Sequence, residues 1–190
     1  MIDKLFMILN DLIPKKPNKI AFLSIPDYSD NPRFLYEFMR QDQEDLEYIW
    51  IVNDREILQE LIAKKIKAVR KNSIMGFFTL ASSKVLIGTH NNMISVKGKK
   101  QYFFNLWHGI GPKTVPAKCD SLEQKESARC SWNKVSYSIT TSRAAVPHYF
   151  EFFDLPEDRV KFFGYARHEF LSKKRDDHEY ALSLRHNLCS

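Results

Sequence analysis

The chain has 190 residues, of which 44% are hydrophobic and 13% aromatic, and it carries a formal net charge of +6. That is enough apolar material for one large or two small folded domains, and it excludes a disordered chain. No run of about 18 apolar residues occurs. Three cysteines, Cys119, Cys130 and Cys189, lack CxxC spacing and an even count, which points to reduced thiols rather than a disulfide framework or a metal site.

Residues 1–17 read as an amphipathic segment. Leu5, Ile8, Leu9, Leu12 and Ile13 share a helical face, Lys15, Lys16 and Lys19 follow, and Asp3 and Asp11 interrupt any signal-peptide core. Such a helix either rests on an anionic membrane surface or packs on the domain's own core. Lys19 to Ile25 reads as a buried strand. Asn31-Pro32 then supplies an N-cap and a first-turn proline for a helix through Phe34, Leu35, Phe38 and Met39.

Glu47 to Val52 is the next strand, and Asn53 or Asp54 caps a helix with the stripe Ile57, Leu58, Leu61, Ile62. A short strand over Ile66 to Val69 precedes a helix opened by Ser73, and Val85-Leu86-Ile87 returns to the sheet. Tyr102 to Leu106 and Val135 to Thr140 are further strands. Ser142 opens a helix that Pro147 kinks or delays, and Val160 to Phe163 is the last strand, ending at Gly164. This alternation predicts an α/β fold with a doubly wound, mostly parallel sheet over 18–171, with Phe22, Ile51, Ile87, Phe104, Ile139 and Phe162 in central strands. Residues 172–190 read as a charged tail or the start of a linker.

Charge is segregated along the chain. Residues 61–119 contain no acidic residue and carry +11, leaving −5 for the remainder. A positive face of this kind concentrates nucleic acid, acidic lipid head groups or phosphorylated substrates. The aromatic-interleaved motifs of RNA-binding domains are absent, which disfavours nucleic acid as a partner.

Inside that stretch lies Asn105-Leu106-Trp107-His108-Gly109-Ile110-Gly111-Pro112-Lys113. A strand breaks here into a turn, the position where open α/β sheets bind ligands. Gly109 and Gly111 allow backbone N–H groups to approach an anion, and Lys113 adds positive charge. His108 is then a titratable group beside a candidate phosphate site, or else a buried histidine in a tight turn. His90, in Gly88-Thr89-His90-Asn91-Asn92, also follows a strand and is a candidate lining residue of the same cleft.

The turn resembles the WHG-x-x-x-K signature of the CDP-glycerol glycerophosphotransferase family, the teichoic-acid primases and polymerases. Leu80 to Ile87 is similar to the helix-to-strand segment before that signature. Thr140-Thr141-Ser142 and Gly164-Tyr165-Ala166-Arg167-His168-Glu169-Phe170-Leu171 are similar to the family's TS and G-Y-P-R-N-D-x-L segments. Asn31-Pro32-Arg33 and Tyr48-Ile49-Trp50 also fit. The chain departs from the pattern at Ile110-Gly111, where Thr-Pro is usual, at Ala166, which replaces proline, and at His168-Glu169, which replaces Asn-Asp.

The resemblance implies the Rossmann-like N-terminal, acceptor-side lobe of a two-lobed GT-B glycosyltransferase-type fold, with the donor lobe elsewhere. It implies transfer of glycerol phosphate, or a related polyol phosphate, from a CDP-alcohol to a hydroxyl of a lipid-linked cell-wall or capsular polymer at the cytoplasmic face of the membrane, with release of CMP. No cofactor or metal is expected. His108 is the expected base, with Gly109, Gly111 and Lys113 as phosphate donors. Arg167 either binds phosphate or forms an ion pair at a helix start. Two other readings remain open: a GT-B enzyme using a nucleotide sugar, and a non-catalytic module that binds anions or membrane.

Overall fold

The apolar alternation along the chain folds into one seven-stranded sheet in the order β3-β2-β1-β4-β5-β6-β7, and every pairing in it is parallel. The computed structural model describes residues 2–42, 45–91, 94–107, 109 and 122–189. Its strands are β1 (Lys16–Leu23), β2 (Glu47–Val52), β3 (Ala68–Arg70), β4 (Ser83–Gly88), β5 (Tyr102–Asn105), β6 (Tyr137–Thr140) and β7 (Val160–Phe162). The helices are α1 (Ile2–Leu12), α2 (Asp30–Asp42), α3 (Arg55–Ala63), α4 (Ile74–Ser82), α5 (Leu122–Trp132), α6 (Val146–Phe153), α7 (Ala166–Lys174) and α8 (His178–Cys189).

Strand residues alternate between two cores, as a sheet covered on both faces requires. In β1, Ile20 and Phe22 face a cluster with Tyr36, Trp50, Val52, Leu61 and Leu106. Ala21 and Leu23 face the other, with Leu80, Leu86, Phe103, Trp132, Tyr149 and Phe153. The expected central strands hold Phe22, Ile51, Ile87, Phe104 and Ile139. Phe162 departs, because β7 is the sheet's edge and leaves that ring half exposed.

The local signals act as read. The Asp54 carboxylate accepts from the Glu56 and Ile57 amides at 2.7 and 3.2 Å. Ser73 Oγ accepts from Gly76 N at 2.9 Å, and Ser142 Oγ from Ala144 N at 3.2 Å. Pro147 delays rather than kinks its helix: a 3₁₀ turn over Arg143–Ala145 comes first, and the proline sits in the first turn of α6, where no N–H is needed.

Two expectations are corrected. First, α2 begins at Asp30, so Asn31 lies inside the helix and does not cap it; its amide bonds across the fold instead. Second, α1 docks on the domain with its apolar side outward. Asn10, wholly buried, donates to the Val96 carbonyl at 2.6 Å and to Gln101 Oε1 at 2.8 Å. Lys15 Nζ donates to Asn10 Oδ1 and the Ile13 carbonyl, closing the end of the helix. These bonds fix its rotation, and Leu5, Ile8, Leu9 and Leu12 stay 40–75% exposed. Residues 178–189, within the segment read as a charged tail or the start of a linker, form the helix α8.

Candidate active site

The topology chooses the place for a ligand before any side chain does. Strand order runs outward from β1 in one direction to β3 and from β4 in the other to β7, so the switch point lies between the carboxyl ends of β1 and β4. In open α/β sheets the crevice at that point is where ligands bind. The residues that follow β1, β4 and β5 surround it.

Of the expected site residues, His108, Gly111 and Lys113 lie outside the described residues, while Gly109, His90 and Arg167 are within them. After β5, Leu106 N donates to the Gly88 carbonyl at 2.7 Å, which carries the chain over the end of β4. Trp107 then turns inward against Trp132 and Phe153, with ring centroids 5.4 and 5.3 Å away. His90 stands edge-on to Trp107 at 5.6 Å, and its Nδ1 is 2.8 Å from Thr89 Oγ1. Thr89 Oγ1 in turn accepts from Ile25 N at 3.2 Å, tying the loops after β1 and β4 together across the switch point. The structure thus brings His90 beside Trp107.

Gly109 has φ +123°, a backbone conformation that side chains with a Cβ rarely adopt. A Cβ there would meet only the Tyr165 ring at 3.9 Å, an ordinary contact, so the backbone conformation rather than space selects glycine. Tyr165 is itself buried, and burial pushes its phenol and that of Tyr149 above the usual tyrosine range, so both stay neutral. Tyr149 donates to the Ile139 carbonyl at 2.7 Å.

Arg167 forms an ion pair with Asp30 at 2.7 Å, and its guanidinium lies 5.4 Å from the centre of the Tyr165 ring. The pair is largely shielded, with side chains 29% and 17% exposed, so it is screened less than a surface pair. Sequence reasoning missed Asp30 and Tyr165, and it misassigned Asn31 as a cap. It also passed over Asn105, wholly buried at the end of β5, which donates to Asn91 Oδ1 at 2.7 Å and so braces the loop after β4. A polar residue in the last inward position of a central strand was the available signal.

The basic stretch is arranged differently from the expectation. In a parallel sheet all amino ends lie on one side, and Lys84, Lys97, Lys99 and Lys100 belong to that side, at the starts of β4 and β5. Lys15 and Lys16 join them at the start of β1. Lys15, Lys84 and Lys100 line a shared cleft of about 440 Å³ with Asp11 and Leu12. Burial first, then the neighbouring Lys100 and Lys84, lower the pKa of Lys15. This positive edge is opposite the WHG loop. Among the described residues no group of three or more His, Cys, Asp and Glu side chains is placed to hold a metal ion.

Fold and site together define a Rossmann-like lobe whose glycine-bearing loop sits at the carboxyl edge beside a topological switch point. The chain belongs to the CDP-glycerol:poly(glycerophosphate) glycerophosphotransferase family, whose model matches residues 5–189. It is 23% identical over 189 residues to the teichoic acid poly(glycerol phosphate) polymerase of Staphylococcus epidermidis, covering 91% of this chain and 25% of that protein. It is 27% identical over 197 residues to the teichoic acid glycerol-phosphate transferase of Staphylococcus aureus, covering 93% and 48%.

Its fold matches the wall teichoic acid polymerase TagF with a TM-score of 0.84 at 20% identity, over 98% of this chain and 47% of that one. A histidine-to-asparagine variant of TagF soaked with CDPG matches at 0.85, again at 20% identity, over 98% and 48%. The chain therefore spans between about a quarter and a half of the length of these relatives.

Proposed function

We propose that this chain is the acceptor-side lobe of a transferase that moves glycerol phosphate, or a related polyol phosphate, from a CDP-alcohol to a hydroxyl of a lipid-linked cell-wall polymer. The observation that carries this reading is the WHG loop: in a chain of this family, it leaves β5 at the carboxyl edge beside the switch point. The acceptor oxygen attacks the phosphorus that bears glycerol, the bond to CMP breaks, and CMP leaves with the bonding electrons. His108 takes the hydroxyl proton. The Gly109 and Gly111 amides and Lys113 offset charge on the transferring phosphoryl oxygens. Arg167, paired with Asp30 and over the Tyr165 ring, is a further cation of that edge, and His90, edge-on to Trp107, lines it.

The test is nucleotide release by the enzyme that contains this sequence. CMP is expected from CDP-glycerol in the presence of a lipid-linked glycerol phosphate primer. Release from nucleotide sugars, with none from CDP-glycerol, would replace this reading with a glycosyltransferase.

The partner at the opposite edge is an anionic membrane surface. Leu12, the last residue of the exposed stripe Leu5, Ile8, Leu9 and Leu12 on α1, lines the lysine cleft, and the Asp11 carboxylate accepts from Lys99 N at 2.7 Å, so the apolar stripe ends at the basic turn. That pairing suits an interfacial helix, where each lysine near an anionic leaflet adds about 1 kcal/mol. Among the described residues no helix is long and apolar enough to cross a membrane. Sedimentation with phosphatidylglycerol vesicles is expected to weaken as salt rises, and at least roughly tenfold in Ile8→Glu/Leu12→Glu, a loss of two apolar anchors. Equal binding to zwitterionic vesicles, or no effect of the double variant, would remove the membrane from this surface.

A further inference from the structure

We infer that Asp30 and Asn31 are positioning residues for the loop that carries His108, clamping its backbone to the start of α7. Asn31 is wholly buried, yet none of its side-chain bonds serves its own helix. Its Nδ2 donates to the Leu106 carbonyl at 3.3 Å and the Trp107 carbonyl at 3.2 Å, the two residues that precede His108. Its Oδ1 accepts from the Arg167 amide at 3.3 Å, 136 residues away. Asp30 completes the grip by accepting from the Arg167 side chain at 2.7 Å. On the far side of position 108, Gly109 lies against Tyr165, the residue before α7. The backbone is therefore held immediately before the proposed base, and it passes the Tyr165 ring immediately after it, from elements distant in sequence.

The loop that delivers Asp30 and Asn31 is built for placement rather than ease. Tyr28 has φ +47° and Asp30 φ +55°, left-handed conformations that are unfavourable for residues with a Cβ and persist only where the surroundings over-determine them. The surroundings do so here. Ser24 Oγ accepts from Ser29 N at 2.9 Å, Asp27 binds the Asn53 and Asp54 amides at 2.6 and 2.7 Å, and the Tyr28 hydroxyl donates to Glu37. A helix cap needs none of this. A base that must meet an acceptor hydroxyl does, since a displacement of about 1 Å costs roughly 100-fold in rate.

The inference rests on the reading of His108 as the base, and the test separates the two. Asn31→Asp keeps an acceptor for the Arg167 amide but turns a carboxylate toward two carbonyl oxygens. In the ¹⁵N-labelled 190-residue chain, the Trp107 and Gly109 amide resonances are expected to move while those of Ile51 and Leu86 in the core do not. In the enzyme that contains this sequence, kcat is expected to fall roughly 10–100-fold with the KM for the CDP-alcohol little changed. Asp30→Asn, which keeps a hydrogen bond to Arg167 but not the charge, is expected to move the same resonances less, and it serves if Asn31→Asp does not fold. Unmoved Trp107 and Gly109 resonances in both variants, or an unchanged kcat in Asn31→Asp, would overturn the clamp. His108→Ala with full transfer would instead overturn the base and leave the clamp to be judged by the resonances.

Discussion

Replacing His108 with alanine in the enzyme that contains this sequence is expected to slow transfer by roughly 10²–10⁴-fold, the usual span of general-base catalysis. An alcohol is a poor nucleophile at neutral pH, and the chain leaves β5 at the carboxyl edge beside the switch point, where open α/β sheets bind ligands, just before it reaches His108 in sequence. Binding of CDP-glycerol is expected to change little, because the proposed acceptor-side lobe supplies the base and the phosphate donors while the nucleotide is held mainly elsewhere. CMP release under saturating donor, with donor affinity measured separately by calorimetry, distinguishes the two effects. Equal turnover by wild type and variant would remove His108 from the mechanism, and a loss of donor affinity matching the loss of rate would reassign it to binding.

The largest effect on stability is expected at Trp50. It is wholly buried in β2, stacked on Phe22 at 5.4 Å and edge-on to Tyr28 and Tyr36 at 4.9 and 5.8 Å. Trp50→Ala empties the middle of that aromatic cluster and is expected to cost about 3–5 kcal/mol. Trp50→Phe is expected to cost far less, at most about 1.5 kcal/mol. The reason is the indole Nε1, which is buried and has no hydrogen-bond partner among the described residues. A donor left unsatisfied costs about 1–3 kcal/mol, and phenylalanine removes it along with the lost ring volume. Urea midpoints at constant m-value measure both variants. A phenylalanine variant as unstable as the alanine one would mean that the site requires the indole itself and that the orphaned Nε1 carries no cost. Because Tyr28 leans on Trp50, the alanine variant is also expected to loosen the loop that delivers Asp30 and Asn31.

The parallel α/β architecture, the helix starts at Asp54, Ser73 and Ser142 and the turn after β5 were legible in the residues. Each depends on neighbours within a few positions: alternation sets a strand, and a side-chain oxygen caps amides two or three residues on. The same local logic read Asn31 as a cap, since an asparagine before a proline usually is one. Its real bonds run 75, 76 and 136 residues along the chain, and no local pattern encodes them. The outward rotation of α1 is likewise set by Asn10 meeting Val96 and Gln101, 86 and 91 residues away, which overrides the apolar stripe that the helix shows in isolation. Charge was legible in amount but not in place. Lys84, Lys97, Lys99 and Lys100, which precede the WHG turn in sequence, sit at the amino ends of β4 and β5, because a parallel strand carries its two ends to opposite edges of the sheet. Sequence by itself determined the elements, the family signature and the turn after β5. Only the tertiary structure decided what holds the backbone at Leu106 and Trp107, and which edge Lys84, Lys97, Lys99 and Lys100 occupy.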